Sequence, residues 1–231
     1  MLVNIEKHRM TLLSDTPVGG CATHRISWLR ESRDSRVMGE LKDYIVELAP
    51  VDTVRPFVEK WHYSGSILGI NNTYSFRLIR PDGVMVGAMI YGKMSMAGAY
   101  KKYGDREIEV IELRRLCCID DTPKNTESYF IGATLRWLRD NTIIKTVVSY
   151  ADPHHGHKGI IYKASNFDYL GTTSKGKLIE WNGETYHDHV IRHIDDAGNR
   201  RPHAKRIKQA LDLGEAKYIT TPGKHIYRYD L

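Results

Sequence analysis

Cysteine is scarce: Cys21, Cys117 and Cys118 are the only three in 231 residues. So few, and an odd number, exclude a disulfide framework and fit a reducing compartment. Cys117 and Cys118 are neighbours inside an apolar run. That is poor geometry for bridging each other or a metal, so both read as small buried hydrophobes. Long hydrophobic runs are also missing. No apolar stretch approaches the ~20 residues that a membrane-crossing helix needs. Glu6, Lys7, His8 and Arg9 stand where a secretory signal would carry its apolar segment, so we expect the chain to stay in the cytoplasm where it is made. No low-complexity tract, internal repeat or obvious linker divides the sequence.

What is present is ordinary in amount and uneven in placement. A hydrophobic content of 41% and a charged content of 27% suit one globular domain with a sizeable core. The net charge is +6. Between Arg200 and Leu231 eight basic residues face three acids, Asp212, Glu215 and Asp230, so 8 − 3 = +5 of that charge sits in the last 32 residues. Focused positive charge fits a polyanion such as a nucleic-acid backbone. A solvated basic face is an equally good account of charge alone.

The first forty residues are weakly periodic and are expected to form an N-terminal arm over 1–40. Val54, Phe57, Val58 and Trp61 recur at helical spacing behind a capping Asp52 or Thr53. That helix is predicted to run to Gly65, with His62 and Tyr63 in its last turn. Tyr74–Ile79 and Val84–Tyr91 flank Pro81-Asp82-Gly83 as a hairpin. Val110–Ile119 reads as a strand, followed by a helix from Asn125 or Thr126 with Phe130, Ala133, Trp137 and Leu138 on one face. The β-branched run Ile143–Ala151 reads as a buried strand, then a polar loop, then a short helix over Gly159–Asn166. Lys177–Trp181 and Thr185–Ile191 flank the hairpin turn Asn182-Gly183. A basic helix over Pro202–Leu213, stopped by Gly214, and a strand at His225–Tyr229 complete the pattern. The predicted fold is a single α/β domain, a mixed sheet with helices on both faces, ending in a basic part over 200–231.

The strand–loop–helix–strand over Ile143–Gly171 ends Ile161-Tyr162-Lys163-Ala164-Ser165-Asn166-Phe167. It resembles the last part of the core of GNAT-type N-acyltransferases, which makes the expected sheet GNAT-like. The resemblance implies that Tyr162 protonates a leaving group. A phenol, with pKa ~10, keeps its proton at neutral pH and can do so. The paired-glycine turn that holds the pyrophosphate of coenzyme A in those enzymes is absent. Asp120-Asp121-Thr122-Pro123-Lys124-Asn125-Thr126-Glu127-Ser128 stands in its place. An acyl-coenzyme A-like donor is therefore a poor fit, although Ser128 in the first turn of the helix can still hold an anion or polar ligand.

Trp61-His62-Tyr63-Ser64-Gly65, Glu112-Leu113-Arg114-Arg115-Leu116, Ser128-Tyr129-Phe130-Ile131-Gly132 and Ser149-Tyr150-Ala151-Asp152 occur in this order. In order and spacing they resemble the Mom family of phage DNA-modification enzymes, firmly over about Arg55–Gly171. The resemblance implies an enzyme of the host cytoplasm that places a carbamoylmethyl group on N6 of adenine in double-stranded DNA, shielding it from restriction enzymes. It also implies a small-molecule carbamoylmethyl donor, and a homodimer is a candidate assembly. Adenine N6 is a poor nucleophile, and the new bond is to a methylene carbon, so acyl transfer does not make this product.

The candidate catalytic set is His62, Tyr63, Arg115, Ser128, Asp152 and Tyr162, with Arg115 and Ser128 orienting the donor. A guanidinium on an apolar strand needs a partner, for which Glu112, Asp152 or a ligand anion would serve. Asp152 sits at a strand end, where open α/β sheets place functional groups. His62, Asp152, His154 and His157 form a candidate set for iron or zinc; a polar loop touching phosphate is the plainer account of the same residues. Arg200, Arg201, Lys205, Arg206 and Lys208 are the candidate DNA contacts. Two other readings stand beside this one: a coenzyme A-dependent N-acetyltransferase acting on an amine, and a non-enzymatic DNA-binding protein.

Overall fold

The computed structural model of the protein describes residues 41–195 and 198–231; the expected arm and Cys21 lie outside them. In chain order the elements are β1 (Ile45–Leu48), α1 (Val51–Trp61), β2 (Asn72–Ile79), β3 (Met85–Gly92), β4 (Val110–Cys118) and α2 (Thr126–Asn141). Next come β5 (Thr146–Ala151), α3 (Ile160–Ala164), β6 (Asp168–Thr172), β7 (Gly176–Trp181) and β8 (Glu184–His187). The chain ends with α4 (His189–Arg192), α5 (Pro202–Asp212), β9 (Lys217–Thr221) and β10 (His225–Asp230).

Seven strands form one sheet in the order β1-β2-β3-β4-β5-β10-β6. Its pairs are antiparallel except β4 with β5, which run parallel. A parallel pair cannot be joined by a tight turn, and α2 supplies the crossover. The alternation of β3 shows how both faces are covered. Met89 and Tyr91 join Phe130, Ile131, Leu135 and Leu138 of α2 in one core, while Ala88 and Ile90 join Val54 and Val58 of α1 in another. One helix thus packs on each face of a mixed sheet, as the sequence predicts.

Between β6 and β10 the chain leaves the main sheet and builds a second one of three strands, β8-β7-β9. Ile179 of this sheet packs with Ile191 of α4 and with Ile207 and Ala210 of α5 in a core of its own. The predicted strand Thr185–Ile191 therefore stops early. It ends at His187, and the chain turns helical so that Ile191 reaches this small core. The hairpin turn is as predicted, with Asn182 and Gly183 both at positive φ, 53° and 79°. Strand β9 carries no signal strong enough to have been predicted.

Helix α1 is also shorter than predicted. It begins behind Pro50 without a side-chain cap, and its C-cap is His62, whose backbone is extended at φ −86°, ψ 137°. Gly65, at φ 55°, turns the loop beyond the helix and does not end it. His62 and Tyr63 thus leave the helix on a loop.

Candidate active site

Strands β4 and β5 pair only from Val110–Leu113 against Thr146–Ser149. Beyond that point β4 stays with β3, and Ala151 of β5 pairs with His225 of β10. The parallel strands part, and a cleft of about 260 Å³ opens between them. His62, Tyr63, Arg115, Asp152, His157 and Tyr162 all line it. Four separate stretches of chain converge on this one place.

Arg115 projects from β4 beside its last residues. Its Nε donates to the Ser66 carbonyl at 3.1 Å and its Nη1 to the Arg114 carbonyl at 2.8 Å. Neither carboxylate expected as its partner is available. Glu112 lies 3.4 Å from Arg114 Nη1 and accepts from the Ser95 N–H at 3.2 Å. Asp152 lies 3.0 Å from Lys224 Nζ. Among the described residues no carboxylate pairs with Arg115. Burial lowers its ionisation from the ordinary arginine range; Tyr63 and Glu112 oppose that and the neighbouring Arg114 adds to it, yet arginine remains charged.

His62 is held by its own loop. The Ser64 backbone N–H donates to Nδ1 at 3.1 Å, and the Ser64 hydroxyl lies 2.8 Å from the same nitrogen. A nitrogen that accepts cannot carry the proton, so the neutral ring has its proton on Nε2. Burial, then Arg115, His157 and His155, push the ionisation of His62 down to about 4. At neutral pH this imidazole is uncharged, and its Nε2–H is the group it can offer as a donor. The half-exposed Tyr63 packs against three imidazoles, those of His62, His155 and His157, with ring centres 4.3, 4.5 and 4.8 Å away.

Asp152 caps the 3₁₀ turn Pro153–His155, its Oδ1 accepting the His154 N–H at 3.0 Å. Burial opposes its charge, but Lys224 and the His154 N–H outweigh that, and the carboxyl ionises below the usual range. Tyr162 lies at the floor of the cleft on α3. Burial pushes its hydroxyl up to about 12, with Ser149 opposing the shift. Its ring packs on Phe167 and Tyr227, at 5.6 and 5.2 Å.

Other expected residues stand elsewhere. Ser128, in the first turn of α2, donates its hydroxyl to the Asn125 carbonyl at 3.0 Å and does not line the cleft. Three of the four candidate metal ligands, His62, Asp152 and His157, line this cleft, but His154 does not. Among the described residues no three His, Cys, Asp or Glu side chains are placed to share an ion. The Asp152 oxygens are engaged by Lys224 and His154, and His62 Nδ1 by Ser64. These residues do not fit an iron or zinc site.

Two residues that composition and spacing did not single out shape this place. The β10–β5 register sets His225 opposite Ala151, which carries Lys224 to Asp152. Tyr227 of β10 lies over Gly159 and donates its hydroxyl to the Lys158 carbonyl at 2.8 Å. Gly159 sits at φ 69°, and a Cβ there would fall 2.2 Å from the Tyr227 ring. A left-handed backbone plus a ring clash is costly for any side chain. Gly159→Ala is expected to lose on the order of 2–4 kcal/mol of stability, read as a lower urea midpoint. An unchanged midpoint would show that Tyr227 is free to move aside.

The sequence pattern of the Mom protein family matches residues 43–231. The chain is 28% identical over 176 residues to the methylcarbamoylase Mom of Escherichia phage Mu, a match that covers 73% of this chain and 70% of that protein. Among solved structures, Arabidopsis thaliana NAA60 in complex with acetyl-CoA is 10% identical with a TM-score of 0.47, over 81% of this chain and 98% of that one. The ribosomal-protein-S5-alanine acetyltransferase of Vibrio fischeri is 6% identical with a TM-score of 0.44, over 81% and 93%.

Proposed function

Because the chain belongs to the Mom protein family, we propose that it is a DNA-modification enzyme that transfers a carbamoylmethyl group to N6 of adenine. The observation that carries this reading is Arg115. It lines a cleft with His62, Asp152 and Tyr162, yet both nearby carboxylates are paired to other cations. A guanidinium that no carboxylate pairs with among the described residues suits an anionic donor, or charge that develops on a leaving group.

The step is a displacement at the methylene carbon. The N6 lone pair forms the new N–C bond, and the bond from that carbon to the leaving atom breaks, its electron pair going with the leaving group. Arg115 offers charge to that group, and Tyr162 gives it a proton. N6, now positively charged, is strongly acidic, so even a weakly basic carboxylate can take its proton. Asp152, held ionised by Lys224, serves there. The Nε2–H of neutral His62 is a hydrogen-bond donor for the amide oxygen of the transferred group.

The duplex would be held by its phosphates on the basic C-terminal part. Helix α5 buries Ala204, Ile207 and Ala210 and leaves Arg201, Lys205 and Arg206 exposed. Lys208 is paired with Asp212, and Arg200 Nε donates to the Ile191 carbonyl at 2.6 Å. Both are partly spent on the fold. Neutralising Lys205 and Arg206 together should therefore flatten the salt dependence of DNA binding by roughly 1.8 in log–log slope, about 0.9 per phosphate contact. An unchanged slope would place the DNA on another surface.

Mass spectrometry of nucleosides from plasmid DNA tests the central reading, in cells that express the chain. Deoxyadenosine heavier by one carbamoylmethyl group is expected. Unmodified adenine in the presence of folded protein would refute it.

A further inference from the structure

We propose that Lys224 is a positioning residue for the modification reaction, fixing the Asp152 carboxylate from the point where the chain re-enters the main sheet. The inference rests on the reading that Asp152 serves the reacting adenine.

Three observations support it. First, the carboxylate is held on both oxygens: Lys224 Nζ lies 3.0 Å from Oδ2, and the His154 N–H donates to Oδ1 at 3.0 Å. Each oxygen has a second acceptor site, so the group remains able to accept from an amino group while its orientation is set. Second, Lys224 is itself anchored. Its N–H donates to Thr173 Oγ1 at 2.9 Å, and the Thr173 N–H donates back to its carbonyl at 2.9 Å. Thr173 follows β6, so the two strands of chain that lead into and out of the small sheet are tied together here. The neighbouring Gly223 has room for nothing larger, because a Cβ would fall 1.9 Å from the Thr173 carbonyl oxygen. A lysine on a free loop would lose backbone as well as side-chain entropy to hold a carboxylate; here the fold has already fixed the backbone. Third, the other groups that act on Asp152 are imidazoles. His155 of its own loop and His187 of β8 lie close enough to influence it electrostatically. Among the described residues Lys224 is the one ammonium or guanidinium paired with it.

Lys224 is nonetheless half exposed, so a DNA phosphate is the rival partner for its ammonium. Kinetics separate the two. Lys224→Ala is expected to lower kcat about ten- to a hundredfold and leave KM for DNA and the salt slope of binding unchanged. Lys224→Arg should restore most of the rate. Added to Asp152→Asn, Lys224→Ala should cause no further loss, because residues that act as a unit are not additive.

A loss that adds to that of Asp152→Asn, or a salt slope smaller by about 0.9, would make Lys224 a phosphate contact and overturn the proposal. So would full activity in Lys224→Ala. Lys224→Gln keeps an unbranched polar side chain without the charge and serves if the alanine variant does not fold; failure of both to fold would make the residue structural and overturn it too. An inactive wild type would instead refute the adenine-modification reading itself, which keeps the two failures apart.

Discussion

Arg115→Ala should lower the rate of adenine modification by about a hundred- to a thousandfold while the protein stays folded. That is the usual size of effect when a preorganised donor to developing charge is removed. The expectation follows from how the cleft is balanced. Glu112 pairs with Arg114 and Asp152 pairs with Lys224, so among the described residues no carboxylate forms an ion pair with Arg115. Its contacts to the protein are two backbone carbonyls, those of Ser66 and Arg114. These hold the guanidinium in place but do not neutralise it. Removing the side chain also removes the burden of a partly buried cation, so the net effect on folding should be small. Arg115→Lys keeps the charge and loses the planar fork, and should recover only part of the rate. The check is the yield of modified deoxyadenosine per unit time, set beside a urea unfolding curve for each variant. An insoluble alanine variant would make Arg115 a structural residue. A folded and fully active one would mean that the donor lies elsewhere.

The parts of this site that the sequence made visible share one property: their positions follow from local pattern. Arg115 stands out because a charge interrupts an apolar strand, and Asp152 because it follows a β-branched run. The helix carrying Tyr162 is bounded by Gly159 and Asn166, both at positive φ in the structure. What the sequence did not show depends on pairings far apart in the chain. Lys224 meets Asp152 only because β10 inserts between β5 and β6 after the excursion through the small sheet. Nothing near Lys224 announces that register. The same holds for Tyr227 above Gly159. His62 leaves the helix earlier than its sequence pattern predicts, for a different reason. Apolar spacing alone suggested a helix running on to Gly65, but the Ser64 N–H bonds to the His62 side chain instead, an alternative that competes with the helix. The candidate metal ligands are a third case. Asp152, His154 and His157 are close in sequence, but a turn of 3₁₀ helix separates them, the His157 ring packs on Tyr63, and among the described residues no three such side chains are placed to share an ion. Density along a chain is weak evidence for convergence in space.

Tyr162→Phe should reduce kcat by roughly a hundredfold or more and leave KM for DNA nearly unchanged, in the range seen when a positioned general acid is lost. The reasoning begins with burial. The hydroxyl ionises only at about 12 because its surroundings penalise the charged form. At neutral pH the phenol therefore always has a proton to give, and a departing group that gathers negative charge near Arg115 is a strong acceptor for it. Phenylalanine keeps the ring that packs between Phe167 and Tyr227, so fold and cleft shape should survive. A turnover deficit that shrinks with donor analogues bearing better leaving groups would locate the missing proton at the leaving atom. If Tyr162→Phe turns over normally, the leaving group departs without a proton from the protein, and Tyr162 belongs to the packing of α3 against β10 alone.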